Sequence, residues 1–207
     1  MNRKEFIKGA GAAAGVAALE NIGFAEEGRK KVNKSIVIYF SHTGENYAVG
    51  NIVVGNTAKV AKEIAAQTGA ATWEIKEAKP YPTGYNECVA LAKKELREKA
   101  RPAFVGEMPD LSDIDTIYLG YPNWWGDAPM VVYSYLDKAD IAGKTILPFC
   151  THEGSGLGST ARSIAKAYPK AKVELHGLGL RGKTAQTDPA AVKSAVAGWL
   201  ERIGAAK

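Results

Sequence analysis

Three short stretches of this chain combine residue types that do chemistry with spacings that packing alone does not require. Ser41-His42-Thr43-Gly44 is followed, after ten intervening residues, by Gly55-Asn56-Thr57 at the expected start of a helix. Hydroxyls, glycines and a helix start together form a cradle for an anion. The first N–H groups of a helix have no partner within it, the helix dipole favours negative charge there, and Ser and Thr add donors. The candidate contacts are Ser41, His42, Thr43, Gly44, Asn56 and Thr57, with Asn46 in the intervening stretch. The motif lacks the Gly-Lys-Ser/Thr ending of a Walker loop and the G-x-G-x-x-G of dinucleotide binders. A polar turn capped by Thr57 is the plain structural alternative.

The second stretch is Tyr121-Pro122-Asn123-Trp124-Trp125-Gly126. Two tryptophans just past a strand end have no covering layer to bury both, and a flat aromatic face suits a flat ring system. One of the pair is expected to cover the sheet edge and the other to meet a ligand. The third stretch, Thr151-His152-Glu153-Gly154-Ser155-Gly156-Leu157-Gly158, is too rich in glycine and hydroxyls to be a packing element and offers backbone donors. Ser155 with His152 and Glu153 invites a hydrolase reading. The residues are neighbours on one loop, however, and the G-x-S-x-G elbow is missing, so nucleophilic catalysis is disfavoured.

These stretches need a scaffold that brings them to one place. Ser35-Ile36-Val37-Ile38-Tyr39-Phe40 is apolar and unalternating, as a parallel strand covered on both faces must be. A helix is expected over 57–67, with apolar positions Val60, Ile64 and Ala65, and a second strand over 71–76. The alternation continues with a helix over 85–99, a strand over 116–120, a helix over 130–136 and a strand over 145–149. It ends with a helix over 159–167, an extended segment over 172–178 and a helix over 189–203, with Asp188 and Pro189 suited to its N-cap and first turn. Five strands alternating with five helices imply an α/β protein, an open parallel sheet wound on both faces. Ligands of such sheets sit beyond the carboxyl ends of the strands, where all three stretches fall.

Composition sets outer limits. The 207 residues suit one domain, and 46% hydrophobic with 24% charged content argues against disorder. No apolar run is long enough for a membrane span, so no stable membrane insertion of the mature domain is expected. Residues 1–25 read as an export signal: Arg3, Lys4 and Lys8 precede a small-residue run, and Gly23-Phe24-Ala25 offers a cleavage site. Asn2-Arg3-Lys4 resembles a twin-arginine signal except that Lys4 stands where the second arginine would be, which leaves general secretion as the alternative. The expected location is therefore periplasmic or otherwise extracytoplasmic, with a cytoplasmic N-terminal helix as the other reading. A linker over 26–34 then leads into a domain over 35–204. Cys88 and Cys150 give neither metal spacing nor a disulfide framework and read as two buried thiols. The formal charge is +5, and removal of three bases (Arg3, Lys4, Lys8) and two acids (Glu5, Glu20) with residues 1–25 leaves +4. The lysines are scattered over helices without interleaved aromatics, so no nucleic acid is expected as a partner.

Taken together, Ser41-x-Thr43-Gly44, Asn56-Thr57, Pro122-Asn123-Trp124-Trp125-Gly126 and Thr151-His152-x-Gly154-Ser155-Gly156 resemble the FMN-binding loops of the flavodoxins, with similarity over 35–203. The resemblance implies a three-layer doubly wound five-stranded parallel sheet in the order 2-1-3-4-5, for which the flavodoxins are themselves the familiar example, with FMN at the switch point. Ser41, Thr43, Gly44, Asn56 and Thr57 would then hold the phosphate. Asn123, Trp124, Trp125 and Gly126 would flank the isoalloxazine, with Trp125 or Trp124 stacked on it, and Thr151, His152, Gly154, Ser155 and Gly156 would line the other edge. Backbone groups near Gly126 would hydrogen-bond the ring nitrogen that gains a proton on reduction.

Two features depart from the family pattern. The stretch 45–54 splits a loop that is usually compact, and Asn46 and Tyr47 would replace or extend phosphate and rim contacts. The body is basic where electron-carrying flavodoxins are acidic around the flavin, which suggests other partners. The function implied is electron transfer with redox partner proteins. An NAD(P)H-dependent quinone or nitro reductase, with Tyr121, Trp124 and His152 framing a substrate pocket, is the first alternative; a flavin-free binding module is the second.

Overall fold

The computed structural model describes residues 34–205, so the export segment expected over 1–25 and the linker before Lys34 lie outside the described residues. Strand β1 (Ser35–Tyr39) leads into a short antiparallel ribbon, β2 (Gly44–Asn46) with β3 (Gly50–Ile52), and then helix α1 (Asn56–Thr68). Next come β4 (Ala71–Glu74), β5 (Lys76–Glu77), α2 (Tyr85–Glu98) and β6 (Phe104–Val105), followed by β7 (Thr116–Pro122), α3 (Met130–Leu136) and β8 (Thr145–His152). The chain closes with α4 (Thr160–Ala167), β9 (Lys172–Val173), β10 (Leu178–Arg181), α5 (Gly182–Thr187) and α6 (Pro189–Arg202).

The main sheet is parallel throughout and runs β4-β1-β7-β8-β10, which is the expected order 2-1-3-4-5. Alternation along each strand sorts its side chains between two cores. Val37, Tyr118, Leu147 and Phe149 pack with Val60 and Ile64 of α1 and with Val192, Val196 and Trp199 of α6. Ile36, Ile38, Ile117, Leu119, Tyr121 and Ile146 pack on the other face with α3 and α4. Asp188 caps α6 as its sequence suggests, accepting the Ala191 N–H at 2.9 Å, with Pro189 in the first turn.

The structure departs from expectation at the fifth strand, which is two pieces rather than one run over 172–178. Segment β9 pairs with Thr145 and Ile146 at the start of β8, and β10 pairs with Phe149 through His152 at its end. Between them the edge of β8 presents Pro148, which has no N–H to contribute to a ladder. The chain steps away there and returns. Strands β7 and β8 also run further than their apolar cores, through Pro122 and His152, so the start of each expected loop is strand backbone. No described helix is long and apolar enough to cross a membrane.

Candidate functional site

The carboxyl ends of β1, β7 and β8 open into a cleft of about 290 Å³. Its first wall begins where β1 gives way to α1. Ser41 does not present a free oxygen to the cleft, because its Oγ accepts the Ala58 N–H at 3.0 Å in the first turn of α1. Thr57 is buried, and its Oγ1 shares a 2.8 Å hydrogen bond with Thr151 Oγ1, which ties the helix start to the end of β8. Asn56 lines the cleft with its Oδ1 fixed by Gln186 Nε2 at 2.8 Å, so its amide N–H groups remain to donate. His42 lines the cleft and is buried, while Thr43 is exposed and outside it. The groups left free to meet an anion are therefore those of the first turn of α1 with Asn56, while Ser41 and Thr57 are engaged in holding that turn in place.

The stretch 45–54 forms most of the ribbon β2–β3, which stands as a second wall. Glu45 N–H donates to Thr83 O at 2.7 Å, and Glu45 Oε2 accepts the Tyr85 N–H at 2.9 Å in the first turn of α2. The Tyr47 and Tyr85 rings lie 5.9 Å apart. The ribbon is thus anchored to α2, and Glu45, Asn46 and Tyr47 all face the cleft.

The tryptophans differ in burial, although both line the cleft. Trp124 packs edge-on against Phe40, His42 and Tyr81, with ring centroids 5.6, 5.6 and 4.9 Å away. Trp125 is 50% exposed, donates from Nε1 to Val89 O at 3.0 Å, and carries Lys93 Nζ 4.7 Å from its ring centroid. Residues 124–127 form a tight turn closed by Trp124 N–H to Asp127 O at 2.8 Å, with both central residues left-handed (Trp125 φ 58°, Gly126 φ 85°). Asn123 braces this turn: its Oδ1 accepts the Gly126 N–H at 2.9 Å and its Nδ2 donates to Gly156 O at 2.8 Å. Gly126 O accepts the Ser159 N–H at 2.7 Å. Both backbone groups of Gly126 are therefore engaged within the protein. Tyr121 is fully buried and is not among the residues that line this cleft.

Of the third stretch, Thr151, His152 and Glu153 line the cleft, whereas Gly154 and Ser155 are exposed outside it and Gly156 serves to hold Asn123. Gly154 N–H donates to His152 Nδ1 at 2.9 Å, which leaves Nε2 as the protonated nitrogen of the neutral ring. Burial lowers the His152 pKa, Glu153 opposes that shift and Arg181 adds to it. Glu153 Oε1 accepts the Lys183 N–H at 2.8 Å in the first turn of α5. Both carboxylates of the cleft, Glu45 and Glu153, are thus committed to helix starts, and no Lys or Arg is among the lining residues.

One wall was not anticipated. Tyr85, Cys88, Val89 and Ala92 line the cleft from α2. Their i, i+3, i+4, i+7 spacing marks one helix face, and in sequence such a face reads as core. Burial pushes both thiols up to about 12, with Glu95 and Glu77 adding to the effect at Cys88. Because only the thiolate reacts, labelling by an aromatic disulfide reagent at pH 8 should be on the order of a thousandfold slower in folded protein than in denaturant. Equal rates would show the thiols to be accessible. Among the described residues no group of His, Cys, Asp and Glu is placed to hold a metal ion.

Residues 34–203 match the flavodoxin family model. The chain belongs to the flavodoxin family. A proposed flavoprotein from Bacteroides eggerthii is 28% identical, with a TM-score of 0.63 over 83% of this chain and 98% of that one. Another from Bacteroides uniformis is 28% identical, with a TM-score of 0.64 over 78% and 96% of the two chains. A flavoprotein from Lactobacillus acidophilus, solved in complex with FMN, is 18% identical, with a TM-score of 0.58 over 73% of this chain and 95% of its own, and shares the fold. No curated protein matches the chain. In this flavodoxin the β2–β3 ribbon separates Ser41 from the start of α1 in sequence, yet Ser41 Oγ still reaches the first turn of that helix.

Proposed function

We propose that the cleft binds one FMN and that the chain carries electrons between protein partners. The observation that carries this reading is the pairing, in one cleft, of a helix start open to an anion with a half-exposed tryptophan. A phosphate fits the first turn of α1, where N–H groups and the Asn56 amide donate and no lysine is needed. A flat ring fits between Trp125 and His152, and the relative solved with FMN has the same fold. FMN, when bound, supplies the redox chemistry, and the chain supplies binding, orientation and electrostatics. Glu45 and Glu153 add negative charge to the wall but are held by helix starts, which limits their repulsion of the phosphate. The export segment expected over 1–25 would place this carrier outside the cytoplasm. Its basic body would select partners with acidic faces.

The test is titration of the purified chain with FMN, followed by electrochemical reduction. Quenching of flavin fluorescence at one FMN per chain is expected, and then two resolved one-electron steps. A chain that leaves FMN fluorescence untouched overturns the binding reading. A single two-electron step with rapid reduction by NADPH alone overturns electron carriage in favour of a reductase.

A further inference from the structure

His42 differs from every other polar residue of the cleft. It is only 8% exposed, its Nε2 is sealed from solvent, and neither ring nitrogen has a hydrogen-bond partner among the described residues. Its one aromatic contact among the described residues is the edge-on approach to Trp124, with ring centroids 5.6 Å apart. A neutral imidazole carries one donor and one acceptor, and leaving the buried Nε2 unpaired is costly. Burial holds the ring's pKa below its usual value, so it stays neutral. A phenyl ring would fill the same space with nothing left unsatisfied. A group of this kind in a cleft wall calls for a partner that arrives with the ligand.

Its position indicates which part of a ligand that is. On one side, Ser41 holds the start of α1 and the His42 carbonyl abuts Gly55, next to the anion cradle. On the other side stands Trp124, which leads to the aromatic wall. His42 therefore lies between the place for a phosphate and the place for a ring. What joins those two parts of FMN is a chain bearing hydroxyls, each of which both donates and accepts and so suits either imidazole nitrogen.

We propose that His42 is a positioning and specificity residue whose imidazole turns into the cleft to hydrogen-bond a hydroxyl of the chain linking the flavin ring to its phosphate. The proposal rests on the FMN reading above. It makes the site selective for flavins that carry the hydroxylated chain over the bare ring.

Fluorescence titration of wild type and His42→Phe with FMN, riboflavin and lumiflavin, which lacks the hydroxylated chain, separates the possibilities. The substitution is expected to weaken FMN and riboflavin about tenfold each, equivalent to about 1.4 kcal/mol, and to leave lumiflavin unchanged. His42→Gln, which keeps a donor and an acceptor, should recover most of the loss. In wild type, the ring ¹⁵N signals of His42 should move on adding riboflavin and stay in place on adding lumiflavin, a readout that does not depend on any variant folding. Unchanged FMN affinity in His42→Phe, an equal loss for all three ligands, or ¹⁵N signals that ignore the hydroxylated chain would each overturn the role of His42 while leaving FMN binding intact. A wild type that binds none of the three overturns both.

Discussion

Trp124→Ala is expected to destabilise the protein by about 3–5 kcal/mol, whereas Trp125→Ala is expected to change stability by only about 1 kcal/mol and to weaken flavin binding instead. The two residues are adjacent in sequence, but they belong to different structures. Trp124 meets Phe40, His42 and Tyr81 with its ring and packs, partly buried, against the core, so its removal takes away contacts with three other rings. Trp125 is half in solvent, and its contacts are a hydrogen bond to Val89 O and the Lys93 ammonium over its face. Its left-handed backbone (φ 58°) is itself unfavourable for a bulky residue, so alanine loses little by replacing it. Urea unfolding followed by circular dichroism, paired with FMN titration, reads both effects. Equal stability losses would mean that Trp125 is also a packing residue and that the aromatic wall of the cleft has been misassigned.

The same pair shows what the sequence makes legible. Two tryptophans past a strand end declare that one must be exposed, but which one depends on the 124–127 turn and on Asn123, whose side chain reaches both Gly126 and Gly156. The order of strands follows from apolar runs and right-handed crossovers, and it holds across β4-β1-β7-β8-β10. The break between β9 and β10 turns on a single Pro148, which an apolar-run reading passes over because proline does not interrupt the hydrophobic pattern around it. Ser41 is legible as a hydroxyl near an anion but not as the acceptor of the Ala58 N–H, since a hydroxyl that donates and one that accepts look alike in sequence. The α2 wall was hidden for a related reason: a helix face turned toward a cleft and one turned toward a core have the same period.

Gly55→Ala is expected to destabilise the protein by about 1–3 kcal/mol and to weaken FMN by about a hundredfold more than it weakens riboflavin. The cost does not lie in the backbone, because Gly55 has φ −64° and ψ 152°, values that any residue adopts. It lies in space. A Cβ at Gly55 would collide with Ser41 Oγ and stand 2.5 Å from the His42 carbonyl oxygen. Neither can yield cheaply: Ser41 Oγ holds the Ala58 N–H, and the His42 backbone carries a ring pressed against Trp124. The first turn of α1 must move away from the end of β1, and with it the N–H groups that would meet a phosphate. Riboflavin, which has no phosphate, should feel only the general loss of stability. Gly50→Ala is the control, since Gly50 (φ 84°) has open space where its Cβ would go and so costs about 1 kcal/mol of torsional strain without touching the cradle. FMN and riboflavin should then keep their wild-type affinity ratio in Gly50→Ala and lose it in Gly55→Ala. A ratio unchanged in both variants would place the phosphate away from the start of α1.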